Sequence, residues 1–292
     1  MIFIVYEDKW ICKKIIEDWK FYNPGKYTND IKKATKIWLF NSYLYKKIKT
    51  KDIPVITTIH HIVENKLNKE EFKKIDEITT YYHSISKHTT DLLNKYTEKS
   101  IIECCIPIKP ELKFIEGREE LRKQLGLNDY YLIGSFQRDT EKNLNPKLEK
   151  GPDIFVEILK KYYADKNICV ILTGYNRQYI IKKLEENNIK YFYKENVELN
   201  ELNKLYNLLD LYIISSRVEG GPRSLFDCAL LKVPIVSTDV GFASKILSKK
   251  SLFMDIDNYG KAEPDIEEAF RNVLIYLSSV YMIEFNKKIG FI

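Results

Sequence analysis

The chain has 292 residues, 45% of them hydrophobic, and a net charge of +6. Its length suits one large or two ordinary domains, and its apolar content excludes wholesale disorder. No apolar run approaches the roughly 20 residues that a bilayer-spanning helix needs.

In chain order, the start "MIFIVYEDKW" is a short apolar run followed by acids. It lacks the basic flank and small-residue cleavage site of a secretion signal, so a soluble, cytoplasmic protein is expected. Runs 2–6, 36–41, 54–60, 77–84 and 101–108 are rich in β-branched and aromatic residues and predict strands. Residues 9–22 and 86–96 have helical spacing, with Ser86 placed to cap the second. Residues 1–50 carry 11 lysines against 5 acids, an excess as large as the whole chain's. Such a face could meet phosphates, anionic lipid or nucleic acid. The lysines are scattered rather than packed in a block, which fits a solvated surface as well.

A charged stretch, 109–129, holds a short helix pattern ending at Gly126 and reads as a linker. Beyond it, strands at 130–136, 168–174, 190–193, 211–216 and 234–238 alternate with helices at 151–163, 177–188, 200–209 and after Pro222. That alternation argues a parallel sheet with helices on both faces, and two such halves make two Rossmann-like domains of class α/β. The expected boundaries are 1–113, a linker 114–129, 130–262, and a final segment 263–292 read as one long amphipathic helix. The cysteines, Cys12, Cys104, Cys105, Cys169 and Cys228, are odd in number and form no CxxC pair. Free buried thiols in a reducing compartment are expected.

In such sheets ligands bind beyond the carboxyl ends of the strands. The stretch "SSRVEGGPRSLFDCALLKVPIVSTDVG" (215–241) follows one of those ends. Gly220 and Gly221 let a ligand approach the backbone, and Pro222 starts a helix. The free N–H groups around Arg223, Ser224 and Leu225 favour an anion such as a phosphate. Glu219 could accept hydrogen bonds from sugar hydroxyls. An ordinary strand-to-helix turn would use the same residues, and local physics leaves both readings open.

The loop after strand 130–136 is long and polar and ends in Lys150-Gly151 at a helix start. Loops of that length inside a domain are usually functional or disordered. Arg138, Lys142 and Lys150 supply its cations; an arginine forks onto phosphate, and a lysine acts as a point charge. His60 and His61 end strand 54–60 and are the histidine candidates, while His83 and His88 read as structural or solvent-facing. "MDIDNYG" (254–260) contains a D-x-D triplet without a neighbouring ligand cluster, so no metal site is expected.

Taken together, residues 210–241 resemble the donor-site signature of the retaining glycosyltransferases of family four, group 1 type. Asp210, Ser215, Glu219-Gly220, Pro234 and Gly241 fall in its register. "LIGSFQRDTEKNLNPKLEKGPDIFVEIL" resembles that family's Gly-Arg-loop-Lys-Gly stretch, and "VILTG" its next strand. The resemblance implies the GT-B fold, two Rossmann-like domains with parallel sheets facing across a cleft. It implies retaining transfer of a sugar from a nucleotide-diphosphate sugar to an acceptor hydroxyl, without a metal or other cofactor. Glu219 would contact the transferred sugar, and Asp227 stands where the family has a ribose-binding glutamate. Arg138 and Lys150 match the basic pair on the donor diphosphate. Gly220, Gly221, Pro222, Arg223 and Ser224 would line the donor pocket, and His60 or His61, with His60 preferred, would lie near the reaction centre.

The glycine-rich loop usual after the family's first strand is missing, and "FIVYEDKWICK" stands there instead. The acceptor, a glycan, lipid or protein, stays open. Peripheral membrane contact through the lysine-rich first domain is a further expectation, and no nucleic acid partner is expected. The final helix is expected to cross back to the first domain. Two alternatives remain: a sugar-nucleotide epimerase or hydrolase on the same fold, and a non-catalytic polyanion-binding protein.

Overall fold

Every strand of the computed structural model is parallel to its neighbours, in two separate six-stranded sheets. Residues 1–50 and 52–292 are described, with the backbone alone at Trp10. The chain divides into two compact units, one of Met1–Lys109 with Ile275–Ile292, the other of Pro110–Leu274.

In the first unit the strands are β1 (Ile2–Val5), β2 (Tyr27–Thr28), β3 (Lys36–Leu39), β4 (Val55–Ile59), β5 (Tyr81–Ser84) and β6 (Ile101–Glu103). Their order is β2-β1-β3-β4-β5-β6. Helices α1 (Trp10–Tyr22), α2 (Lys69–Ile78) and α3 (Lys87–Leu93) connect them. Ser86 caps α3 by accepting from the Thr89 N–H, as its sequence position predicts. The central strand β4 is buried at every residue. This is what a parallel sheet covered on both faces demands.

The second unit begins with α4 (Arg118–Gln124), then β7 (Tyr131–Ser135), α5 (Pro152–Tyr162), β8 (Ile168–Thr173), α6 (Gln178–Glu186) and β9 (Lys190–Lys194). It continues with α7 (Leu199–Leu208), β10 (Leu211–Ile214), α8 (Arg223–Leu231), β11 (Ile235–Thr238), α9 (Ala243–Ile246), β12 (Leu252–Phe253), α10 (Ile256–Tyr259) and α11 (Ile266–Leu274). The strand order is β12-β11-β10-β7-β8-β9. Its core packs Ile133, Val170, Leu172, Ile213 and Val236 from the sheet against Phe155, Ile158 and Leu159 of α5 and Ile180 and Leu184 of α6.

Four expectations are corrected. Residues 77–84 are not one strand, because α2 runs to Ile78 before β5 begins at Tyr81. Asn68 caps α2 on the Glu71 N–H, a start signal that the β-rich "ITTYYHS" obscured. The strand read over 101–108 is cut to Ile101–Glu103. Residues 110–129 are not a free linker but part of the second unit. Arg118 and Arg122 of α4 both pair with Asp210 at 2.8 Å, and Asp210 also accepts from the Leu132 N–H. The final segment is two helices, α11 and α12 (Ser278–Lys288), rather than one. The apolar period runs on, but the backbone leaves the helix at Tyr276–Ser278 to pair with Ile108, whose N–H and C=O bond to Tyr276 and Ser278 at 2.8 Å each. A helix cannot offer those groups sideways, so the pairing breaks it.

Candidate active site

The strand order of the second unit fixes where a ligand can sit. The strand order reverses between β7 and β10, and doubly wound sheets bind ligands at that crevice, beyond the carboxyl ends of the strands. Two loops leave those ends: residues 136–151 after β7 and 215–222 after β10.

The two loops are stitched together. The N–H groups of Arg217 and Val218 donate to the Glu149 carbonyl at 2.8 and 3.1 Å. Gln137 Nε2 donates to the Lys150 carbonyl at 2.9 Å, and Ser215 Oγ donates to the Gly151 carbonyl at 2.8 Å. Arg217 forks onto Asp153 at 2.8 and 2.6 Å. Gly151 has φ of +59°, and a Cβ there would sit 1.8 Å from the Ser215 carbonyl oxygen. Only glycine fits so close a backbone crossing. Gly241, with φ of +57°, is pressed in the same way against the Glu219-Gly220 backbone, its would-be Cβ 2.3 Å from the Gly220 oxygen.

This stitching delivers Lys150 to Glu219. The Lys150 Nζ lies 2.5 Å from Glu219 Oε1, with Ser216 Oγ donating to the same oxygen at 3.2 Å. Glu219 is 7% exposed, so a largely dehydrated acid and its cation meet where the two loops join. An incoming phosphate could draw Lys150 from Glu219, and the carboxylate would then be open to hydroxyl donors.

At α8, Pro222 sits in the cap position with φ of −63° and ψ of 126°, so the first N–H groups of the helix have no side-chain cap. Arg223 Nε donates to Asp227 Oδ1 at 2.9 Å, one helical turn on. The Tyr212 hydroxyl, buried beneath the start of β7's loop, accepts from the Phe136 N–H at 2.8 Å. Burial holds the Tyr212 phenol protonated far above its ordinary range.

Arg138 is turned within its own loop. Its Nε donates to the Thr140 carbonyl at 3.1 Å and its guanidinium pairs with Glu141 at 3.3 Å. The structure thus brings Lys150 and Glu219 together and leaves Arg138 on Glu141. Lys142 is exposed on the same loop.

Sequence reasoning missed what anchors that loop. Arg177 is fully buried and pairs with Asp139 at 2.5 Å. It also donates to the carbonyls of Ser135 and Thr173, which end β7 and β8, at 2.5 and 2.8 Å. Asp139 follows the candidate Arg138 directly, so the only signal was an unremarked acid inside a polar loop.

The histidines belong to the first unit. His60 is half-buried, with Nε2 3.0 Å from the Phe40 carbonyl, and burial pushes its pKa down to about 4. His61 is exposed. His83 is buried between Thr58 Oγ1 and the Cys104 carbonyl, and burial likewise lowers it to about 4. Its reading as structural holds. Of the D-x-D triplet, Asp255 caps α10 on Asn258 and Asp257 pairs with Lys161 at 2.5 Å. Among the described residues, no three acids, histidines or cysteines are grouped to hold a metal ion. Likewise, no helix there is long and apolar enough to cross a membrane.

Residues 118–276, which contain every element of the β7/β10 crevice, match the family model of glycosyl transferases group 1. The chain belongs to that family. No curated protein matches this transferase in sequence. Among solved structures it is similar to HepE from Anabaena, solved in complex with UDP and glucose. The two are 12% identical, over 99% of this chain and 97% of that one, with a TM-score of 0.73. It is also similar to the sucrose-phosphate synthase of Thermosynechococcus elongatus, at 10% identity, 94% and 76% coverage and a TM-score of 0.69. A glycosyltransferase from Rickettsia africae gives 16%, 98% and 84%, and 0.65. At such identities the likeness shows the fold, which is the GT-B class with its two parallel sheets. This transferase therefore keeps the two-sheet scaffold while sharing few side chains with those structures.

Proposed function

We propose that the transferase moves a sugar from a nucleotide-diphosphate sugar to an acceptor hydroxyl with retention, and without a metal. The Lys150–Glu219 pair at the β7/β10 switch point, under loops closed by Gly151 and Gly241, carries this reading. Charge builds on the departing diphosphate, and Lys150 with the uncapped N-terminus of α8 answers it. Arg138 joins them once the donor draws it from Glu141. Glu219, released by Lys150, orients the sugar through its hydroxyls. The acceptor attacks the face that the diphosphate leaves, and its proton passes to the departing phosphate.

Asp227 would reach the ribose only through or beside Arg223, so the pair acts as one unit. His60, which burial keeps neutral at pH 7, is the proposed histidine of the first unit. The UDP complexes of HepE make a uridine nucleotide the first donor to try. The lysine-rich segment 1–50 supports peripheral contact with an anionic membrane, measurable by sedimentation with phosphatidylglycerol vesicles.

The deciding experiment is thermal shift with UDP, GDP and ADP and their sugars, followed by product analysis at the anomeric carbon. A stabilised protein and a retained anomer are expected. No shift with any nucleotide, or an inverted product, would overturn the reading. Donor turnover equally fast with and without acceptors would favour an epimerase or hydrolase instead. Salt-sensitive polyanion binding that survives Glu219→Ala, with no turnover, would favour a binding protein.

A further inference from the structure

The first unit has a switch point of its own. Its strand order reverses between β1 and β3, so the carboxyl ends of those strands flank a second crevice. Three side chains of unlike chemistry meet there. The Glu7 N–H, two residues past β1, donates to Asn41 Oδ1 at 2.8 Å. Asn41, two residues past β3, is 5% exposed, and its amide nitrogen lies 3.4 Å from Cys12 Sγ. The Tyr43 hydroxyl donates to Glu7 Oε2 at 2.6 Å while 52% of the residue stays exposed. Glu7 and Cys12 lie in "FIVYEDKWICK", the stretch that stands in place of the family's usual glycine-rich loop.

An open aromatic face beside a carboxylate suits an uncharged polyol. The ring takes the C–H face of a sugar, and the carboxylate accepts its hydroxyls. The same corner opposes an anion. Glu7 and Asp8 precede α1, whose N-terminal N–H groups would otherwise attract one. The nearby cation Lys13 is paired with Asp8 at 3.3 Å and with Glu17 at 4.0 Å. Lys9 is exposed.

We propose that Glu7 and Tyr43, positioned by the buried Asn41, form a saccharide subsite that binds the acceptor as an uncharged sugar and rejects a phosphorylated one. The acceptor role rests on the transferase reading above; the binding chemistry does not. Saturation-transfer NMR on the whole protein tests it without a donor. The probes are methyl glucoside, methyl galactoside, methyl mannoside, N-acetylglucosamine and glucose 6-phosphate. At least one uncharged sugar should bind and the phosphate should not. Tyr43→Ala, which removes the ring, and Glu7→Gln, which removes the carboxylate charge, should each weaken binding about tenfold, the scale of one aromatic contact or of one hydrogen bond to a charged group. Silence from every uncharged sugar, binding of glucose 6-phosphate, or unchanged binding in both variants overturns the proposal.

UDP-induced thermal shift on the same samples separates the two readings. A UDP shift with silent sugars sinks only this subsite, and sugar binding without any nucleotide shift sinks only the donor reading. An octyl glycoside bound more tightly than its methyl counterpart supports the subsite with a lipid-borne sugar, and equal affinity supports it with a free one.

Discussion

Arg177 and Asp139 meet at 2.5 Å with neither side chain more than 1% exposed. The pair ties the loop that carries Arg138 and Lys150 to the ends of β7 and β8. Removing one partner leaves a buried charge alone, which costs about 3–5 kcal/mol. Arg177→Met should therefore shift the urea midpoint strongly, and Asp139→Asn in that background should recover part of the loss. A midpoint unchanged by Arg177→Met would show that the pair does not hold the loop.

Lys150→Ala and Glu219→Ala should each lower sugar transfer by about two orders of magnitude or more, the scale of losing one pre-placed charge or donor at a reacting centre. Circular dichroism should stay that of the parent protein. Activity within tenfold of the parent for either variant would remove the pair from the chemistry.

Gly151→Ala should destabilise by roughly 3 kcal/mol or more, since it combines a positive φ with backbone overlap. Gly25 provides the control: φ is +73°, but nothing lies within 4 Å of the added carbon. Gly25→Ala should cost only about 1–2 kcal/mol, the strain of the left-handed backbone alone. Equal losses at the two sites would show that the crossing over Ser215 is not tight.

His83 has a pKa near 4 in the folded protein because burial disfavours its charged form. The unfolded chain binds that proton near 6.5. Between those values the unfolded state holds more protons, so stability falls as pH drops from about 6.5 to about 4 and is level, for this group, outside that window. The contribution is up to about 3 kcal/mol. His83→Gln should flatten the dependence of melting temperature on pH across that window relative to the parent. An unaltered slope would mean the parent's His83 is already charged there.

The sequence by itself determined the alternation of apolar strands and amphipathic helices, and with it two parallel sheets. Burial patterns are local, and a period of two or of 3.6 is written in neighbouring residues. It also determined the Glu-Gly-Gly-Pro turn at 219–222 and the Lys-Gly end of the long loop, because glycine and proline carry their backbone preferences with them. It failed where a local pattern was overruled by a distant partner. The helix over 264–285 breaks because Ile108, far away in the chain, needs the backbone groups of Tyr276 and Ser278. The stretch at 109–129 looked like a linker because the partner of Arg118 and Arg122 is Asp210.

The same reason separates what was visible of the site from what was not. Lys150 and Glu219 were each legible as candidates, but they stand 69 positions apart in the chain, and only the strand order around the switch point brings them to 2.5 Å. Arg177 carries no local mark of its role, since a buried arginine and an exposed one are the same letter. What only the tertiary structure decided is which charges meet. Ion pairing and desolvation depend on distance through space, and that distance is set by how the sheets order their strands rather than by spacing along the chain.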